Sequence, residues 1–79
     1  MYSLHYAPMV VSIIYHLREK GVVLREELKR LEQNPRIENA RVVPGWENRY
    51  EFEVLGLWVL IEVLEDQQVI RILNIEAIT

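Results

Sequence analysis

The carboxy-terminal half reads RYEFEVLGLWVLIEVLEDQQVIRILNI, three apolar runs separated by two short breaks, and that pattern leaves few folds open. In the first run Tyr50, Phe52 and Val54 alternate with Glu51 and Glu53, the period of two expected of a half-buried strand. Two further strands, Trp58–Leu64 and Val69–Ile75, follow across Gly56-Leu57, a pair suited to a tight II′ hairpin turn, and across the polar turn EDQQ. Strands joined by loops this short run antiparallel, because a parallel return needs a dozen or more residues.

Upstream of this meander the period changes. YSLHY alternates Tyr2, Leu4 and Tyr6 against Ser3 and His5, which suits a short first strand. Pro8 can open a helix, since its missing N–H is no loss in a first turn. From Met9 to Lys20 the apolar positions Met9, Val10, Ile13, Ile14 and Leu17 recur at helical spacing, and Gly21 reads as the stop. VVLREELKRLEQ is a second amphipathic helix, with Leu24, Leu28 and Leu31 on one side and Arg25, Lys29 and Arg30 on the wet side, ended by Asn34-Pro35. The connector ENARVVPGWEN is turn-rich and admits an irregular strand at Arg41–Val43. The expectation is one α+β domain over residues 1–79, ordered β-α-α-β-β-β, with an antiparallel sheet and a helical hairpin packed on one face.

The turns fix which side chains share a face. With Gly56-Leu57 and Glu65–Gln68 as loops, Tyr50, Phe52, Val54, Val59, Ile61, Val63, Ile70 and Ile72 form a wholly apolar face, which must meet the helices. The opposite face then carries three rows: Glu51–Glu62–Arg71, Glu53–Leu60–Leu73 and Leu55–Trp58–Ile75. That face is acidic at one end and apolar at the other.

Composition narrows the function classes. Of 79 residues 51% are hydrophobic and 27% charged, an ordinary balance for a small globular domain, and no cysteine is present to supply a disulfide or thiolate–metal site. The apolar stretches are too short to span a bilayer, and the amino terminus lacks the marks of a signal peptide, so a cytoplasmic protein away from membranes is expected. The net charge of −3 argues against nonspecific nucleic-acid binding, which is largely cationic. Residues 1–48 hold seven Lys/Arg against six Asp/Glu, whereas residues 49–79 hold two against six, so the acidity is carboxy-terminal.

NPRIENARVVPG followed by RYEFEV, LGLWVLIEV and LEDQQVIRILNI resembles the RelE/ParE superfamily of toxin–antitoxin toxins, and YSLHYAPMVVSIIYHL is similar to that family's first strand and helix. The resemblance covers Tyr2 to Ile75. It implies the same β-α-α-β-β-β order, a cognate antitoxin and, in one branch, cleavage of messenger RNA by Lys/Arg side chains on the outer sheet face. The departures fall on that face. Where the family's strand alternates two bases, this chain has Glu51 and Glu53, and Trp58 stands where an arginine usually follows the hairpin glycine. Beyond the last strand NIEAIT offers neither base nor tyrosine. A phosphodiester transition state gains negative charge and needs cations there, so no catalytic residue is assigned.

The remaining polar groups have plainer roles. Glu51 and Glu62 as neighbours could form an acid/base couple or hold a cation, but a solvated strand with Arg71 compensating Glu62 is the commoner arrangement. His5 and His16 have no companions at metal-ligand spacing, and no metal or cofactor is expected. Tyr2, Tyr6, Tyr15 and Tyr50 suit core or boundary packing, and Trp46 beside Pro44-Gly45 suits an anchor for the connector. Leu55, Trp58, Leu60, Leu73 and Ile75, by contrast, form an apolar patch that a small protein does not leave wet. They are the expected partner-binding residues, with Glu51 and Glu53 as rim charges, and the occupant is a second copy of the chain or an antitoxin-like protein. The expected function is that of a RelE/ParE-like protein acting through protein contacts. An active ribonuclease toxin and a subunit of an unrelated complex are the alternatives.

Overall fold

The computed structural model describes residues 1–78. Strand β1 (Ser3–Tyr6) leads into helices α1 (Pro8–His16) and α2 (Glu19–Lys29), and a 3-10 turn at Arg30–Glu32 extends α2. After the connector come β2 (Arg41–Val42), β3 (Arg49–Val54), β4 (Leu57–Leu64) and β5 (Val69–Ala77). The sheet order is β1-β5-β4-β3-β2. The α+β architecture and the β3-β4-β5 meander are as expected. The irregular strand admitted at Arg41–Val43 is present as β2 and pairs with β3; what differs is that β1 lies parallel to β5, so the sheet is mixed. Both helices and the rest of the meander separate β1 from β5, far more than the dozen residues a parallel pair requires.

Pro8 occupies the first turn of α1 as expected, but Gly21 does not stop that helix. The break falls at Arg18, whose φ of 56° and ψ of −123° turn the chain, and Gly21 lies inside α2. Its role is close approach: a β-carbon there would sit 2.2 Å from the Ile14 carbonyl oxygen. Only a glycine lets α2 press this near to α1.

Val10, Leu24, Leu28 and Leu31 from the helical layer meet Phe52, Val59, Ile61, Val63, Ile70 and Ile72 from the sheet, all buried. Tyr50 and Val54 pack against this core at its margin. The expected core face is therefore present, and it gains Leu57 and Ile75.

The gains have two causes. Val54 pairs with Leu57, so the hairpin loop is Leu55-Gly56, one residue earlier than expected. Both loop residues have positive φ, 54° and 74°, as a type I′ turn requires. That turn matches the strand twist, and it buries Leu57, worth about 2 kcal/mol by area. Moving a two-residue loop by one shifts cross-strand partners by two, so every face of β3 and β4 is kept. Glu53 now opposes Trp58, Glu51 opposes Leu60, and Arg49 opposes Glu62. The second cause is a bulge in β5. Ile61 pairs with Ile72 but Leu60 pairs with Asn74, leaving Leu73 as the extra residue. Past it the strand is offset by one, which turns Ile75 onto the core face opposite Val59.

Candidate functional site: the outer sheet face

The sheet face away from the helices is organised around Glu62. The register sets Arg49 on β3 and Arg71 on β5 directly beside it. Arg49 Nε lies 3.2 Å from one carboxylate oxygen of Glu62 and Arg71 Nη1 3.4 Å from the other. Glu62 is 7% exposed, the buried charged residue of this fold, and the two guanidiniums are what make that tolerable. The Arg49 guanidinium carbon also sits 3.5 Å above the Trp46 ring, a stacked cation–π contact. Trp46, expected to anchor the connector, is 48% exposed and outside the core cluster, and its contact is with Arg49.

One row further along β3, Arg41 on β2 bonds Glu51 at 3.2 Å and lies 4.7 Å from the centre of the Trp58 ring. Trp58 is half-buried, with Leu60 beside Glu51 in the same row and Leu73 at the bulge, both also half-buried. Glu53 opposes Trp58 and is exposed, and Glu76 opposes it from β5. Asn74 Nδ2 donates to that Glu76 at 3.0 Å.

The partner-binding residues expected from the sequence separate accordingly. Trp58, Leu60, Leu73, Glu51 and Glu53 lie together on this face. Leu55 is at the hairpin tip, 41% exposed, beyond the end of the sheet rows. Ile75 is not on the face at all, being 3% exposed in the core because of the bulge. The expected Glu51–Glu62 neighbour pair does not form: each carboxylate has its own arginine. The sequence does carry the missing cation, Arg41 in the irregular strand, but nothing in its local pattern ties it to Glu51 ten residues on.

Elsewhere the structure bears on three smaller expectations. His5 and His16 are exposed. Tyr2, Tyr6 and Tyr50 pack at the core boundary, and burial pushes the Tyr6 phenol above its ordinary pKa while Arg25 opposes that. Tyr15 and Met9, expected to pack, are instead 81% and 70% exposed. Among the described residues no helix is long and apolar enough to cross a membrane.

No family model matches this sequence, and no curated protein matches it significantly. Solved structures do. The isolated E. coli RelE toxin aligns at a TM-score of 0.83 and 17% identity, over 100% of this chain and 86% of that one. The intact E. coli RelBE toxin–antitoxin complex contains a chain that aligns at 0.82 and 17%, over 100% and 99%. The archaeal RelE–RelB complex from Pyrococcus horikoshii OT3 contains one that aligns at 0.83 and 20%, over 96% and 93%. What this chain shares with them is the fold: its helical hairpin and mixed five-stranded sheet are those of RelE.

Proposed function

We propose that this chain is a RelE/ParE-like member of a type II toxin–antitoxin pair that works through protein contacts and does not cut RNA. The observation carrying this reading is the pairing on the sheet face. Arg41, Arg49 and Arg71 are each bonded to a glutamate of the same face, and Trp58 and Trp46 cover two of the guanidiniums. A phosphodiester approaching this surface would have to displace a carboxylate at each cation, where transition-state stabilisation needs cations already free and aimed. The fold supports the antitoxin half of the reading, since its E. coli and P. horikoshii counterparts are found in complexes of RelE with RelB.

The partner's contact surface in this reading is the apolar strip Trp58, Leu60 and Leu73, extended by Leu55 at the hairpin tip, with Glu51 and Glu53 as the rim. Trp58 is the only large aromatic of that strip, the type of residue in which interfaces concentrate their energy. Co-expression with the product of the adjacent gene tests it. The two should co-purify, and Trp58→Glu should release the partner. Retention of the partner by a folded Trp58→Glu variant would move the interface elsewhere.

One observation favours the ribonuclease alternative: Arg71 is 55% exposed in its side chain and Arg41 63%, so both can turn toward a ligand. If they do the chemistry, Arg41→Ala and Arg71→Ala should abolish a cleavage that the intact chain performs.

A further inference from the structure

The first helix, PMVVSIIYH, contains no Asp, Glu, Lys or Arg, yet it lies on the surface. Val10 is fully buried and Ile13, Ile14 and Leu17 pack on the core, which uses one side of the helix. The other side leaves Met9, Val11 and Tyr15 exposed, Val11 at 55%. Val22 of α2, 64% exposed, joins them: Ile14, Tyr15 and Val22 line one groove along the hairpin. Ser12 and His16 are the polar residues of that side, with His16 Nδ1 2.7 Å from the Ser12 carbonyl oxygen one turn back, so the side presents no Asp, Glu, Lys or Arg where a solvent-facing helix normally turns such charges outward. The neighbouring α2 does turn charges outward, so the lack of them on α1 is a property of this surface and not of the chain.

We propose that the outer side of α1, with Val11, Tyr15 and Val22 at its centre, is a two-fold interface between copies of this chain. The rim selects that occupant. Arg18, Glu19 and Arg25 border the groove, and beyond Val22 come Glu26, Lys29 and Glu32, so the signs alternate. A partner of one charge sign would meet like charges at every second position. A second copy brings the same alternation and can set glutamate against arginine, while α1 against α1 brings no Asp, Glu, Lys or Arg to the centre. Isologous two-fold contacts are the commonest way for a chain to associate with itself. The helices cover the opposite side of the sheet from Trp58, so this interface leaves the outer sheet face free and does not depend on the function proposed above.

Sedimentation of the full chain over a wide dilution series is the test, with Tyr15→Glu, Val22→Lys and Trp58→Glu beside the wild type. Tyr15 and Val22 are exposed enough for both substitutions to leave the fold intact, which circular dichroism checks. The expected result is a wild-type dimer, a Kd raised roughly thirtyfold or more by Tyr15→Glu and by Val22→Lys, and an unchanged dimer for Trp58→Glu. A wild type that stays monomeric at the highest concentration overturns the proposal. So does a dimer that both helix variants retain, or one that Trp58→Glu alone dissolves.

Discussion

Glu62 lies between Arg49 and Arg71 with both its oxygens engaged, and its neutral isostere would keep the shape while removing the charge. Glu62→Gln should cost about 1–3 kcal/mol, read as a lower urea midpoint, because two half-desolvated guanidiniums lose their counter-ion. The same change frees those cations, so affinity for RNA should rise in the variant and fall again with added salt. Gly21→Ala sets two effects against each other. Alanine is the better helix former by about 1 kcal/mol, but its β-carbon would meet the Ile14 backbone oxygen at 2.2 Å. Backbone cannot give way cheaply, so the variant should be destabilised by about 1–3 kcal/mol, and a midpoint at or above the wild type would mean the helices are not this close. Of these residues the Glu62–Arg71 pair was legible in the sequence, because the EDQQ turn fixes the nearby register. Arg49 against Glu62 was not, since it depends on where the other hairpin turns, and Gly21 looked like a stop because glycine serves helix ends and helix contacts alike.

At the scale of elements, the β3–β4 hairpin asks a leucine to adopt φ of 54° at Leu55, a conformation that Asn tolerates much better. Leu55→Asn should therefore stabilise the fold by about 1 kcal/mol, and a loss of stability in thermal unfolding would argue for the later turn at Gly56-Leu57. That alternative turn and the observed one keep the same faces of β3 and β4, which is why the core was readable although the turn was misplaced. The β5 bulge is different. It has no glycine or proline to announce it, and it alone moved Ile75 from the outer face to the core. Strand β1 is tied at its start by the Tyr2 N–H to the Glu32 carbonyl at 2.8 Å and by the Tyr2 hydroxyl to Glu65. That hydroxyl bond raises the phenol above its ordinary pKa of 10.0, with desolvation and the Glu65 charge adding to it. A raised pKa means the contribution is complete below pH 10 and is lost as pH climbs through the higher folded-state value. The stability gap between wild type and Tyr2→Phe should close over that alkaline range, and a gap independent of pH would show that the hydroxyl is not engaged.

Across the whole molecule the layers differ in character. The helical layer carries the slight excess of bases and a first helix without Asp, Glu, Lys or Arg, and the sheet layer carries the acids, with Arg41 on Glu51 and both Arg49 and Arg71 on Glu62. The meander's alternation and the sign of the charge in each half made this layout visible in the sequence. The pairing of Arg41 and of Arg49 is not visible there, because it joins residues ten and thirteen positions apart through a connector strand and a hairpin whose register the sequence leaves open. If the paired face does keep this RelE-like fold from cutting RNA, as proposed, inducing the protein should leave message ends mapped by primer extension unaltered. The expected result is the same set of ends with and without induction. New, codon-dependent ends that disappear with Arg41→Ala or Arg71→Ala would contradict it.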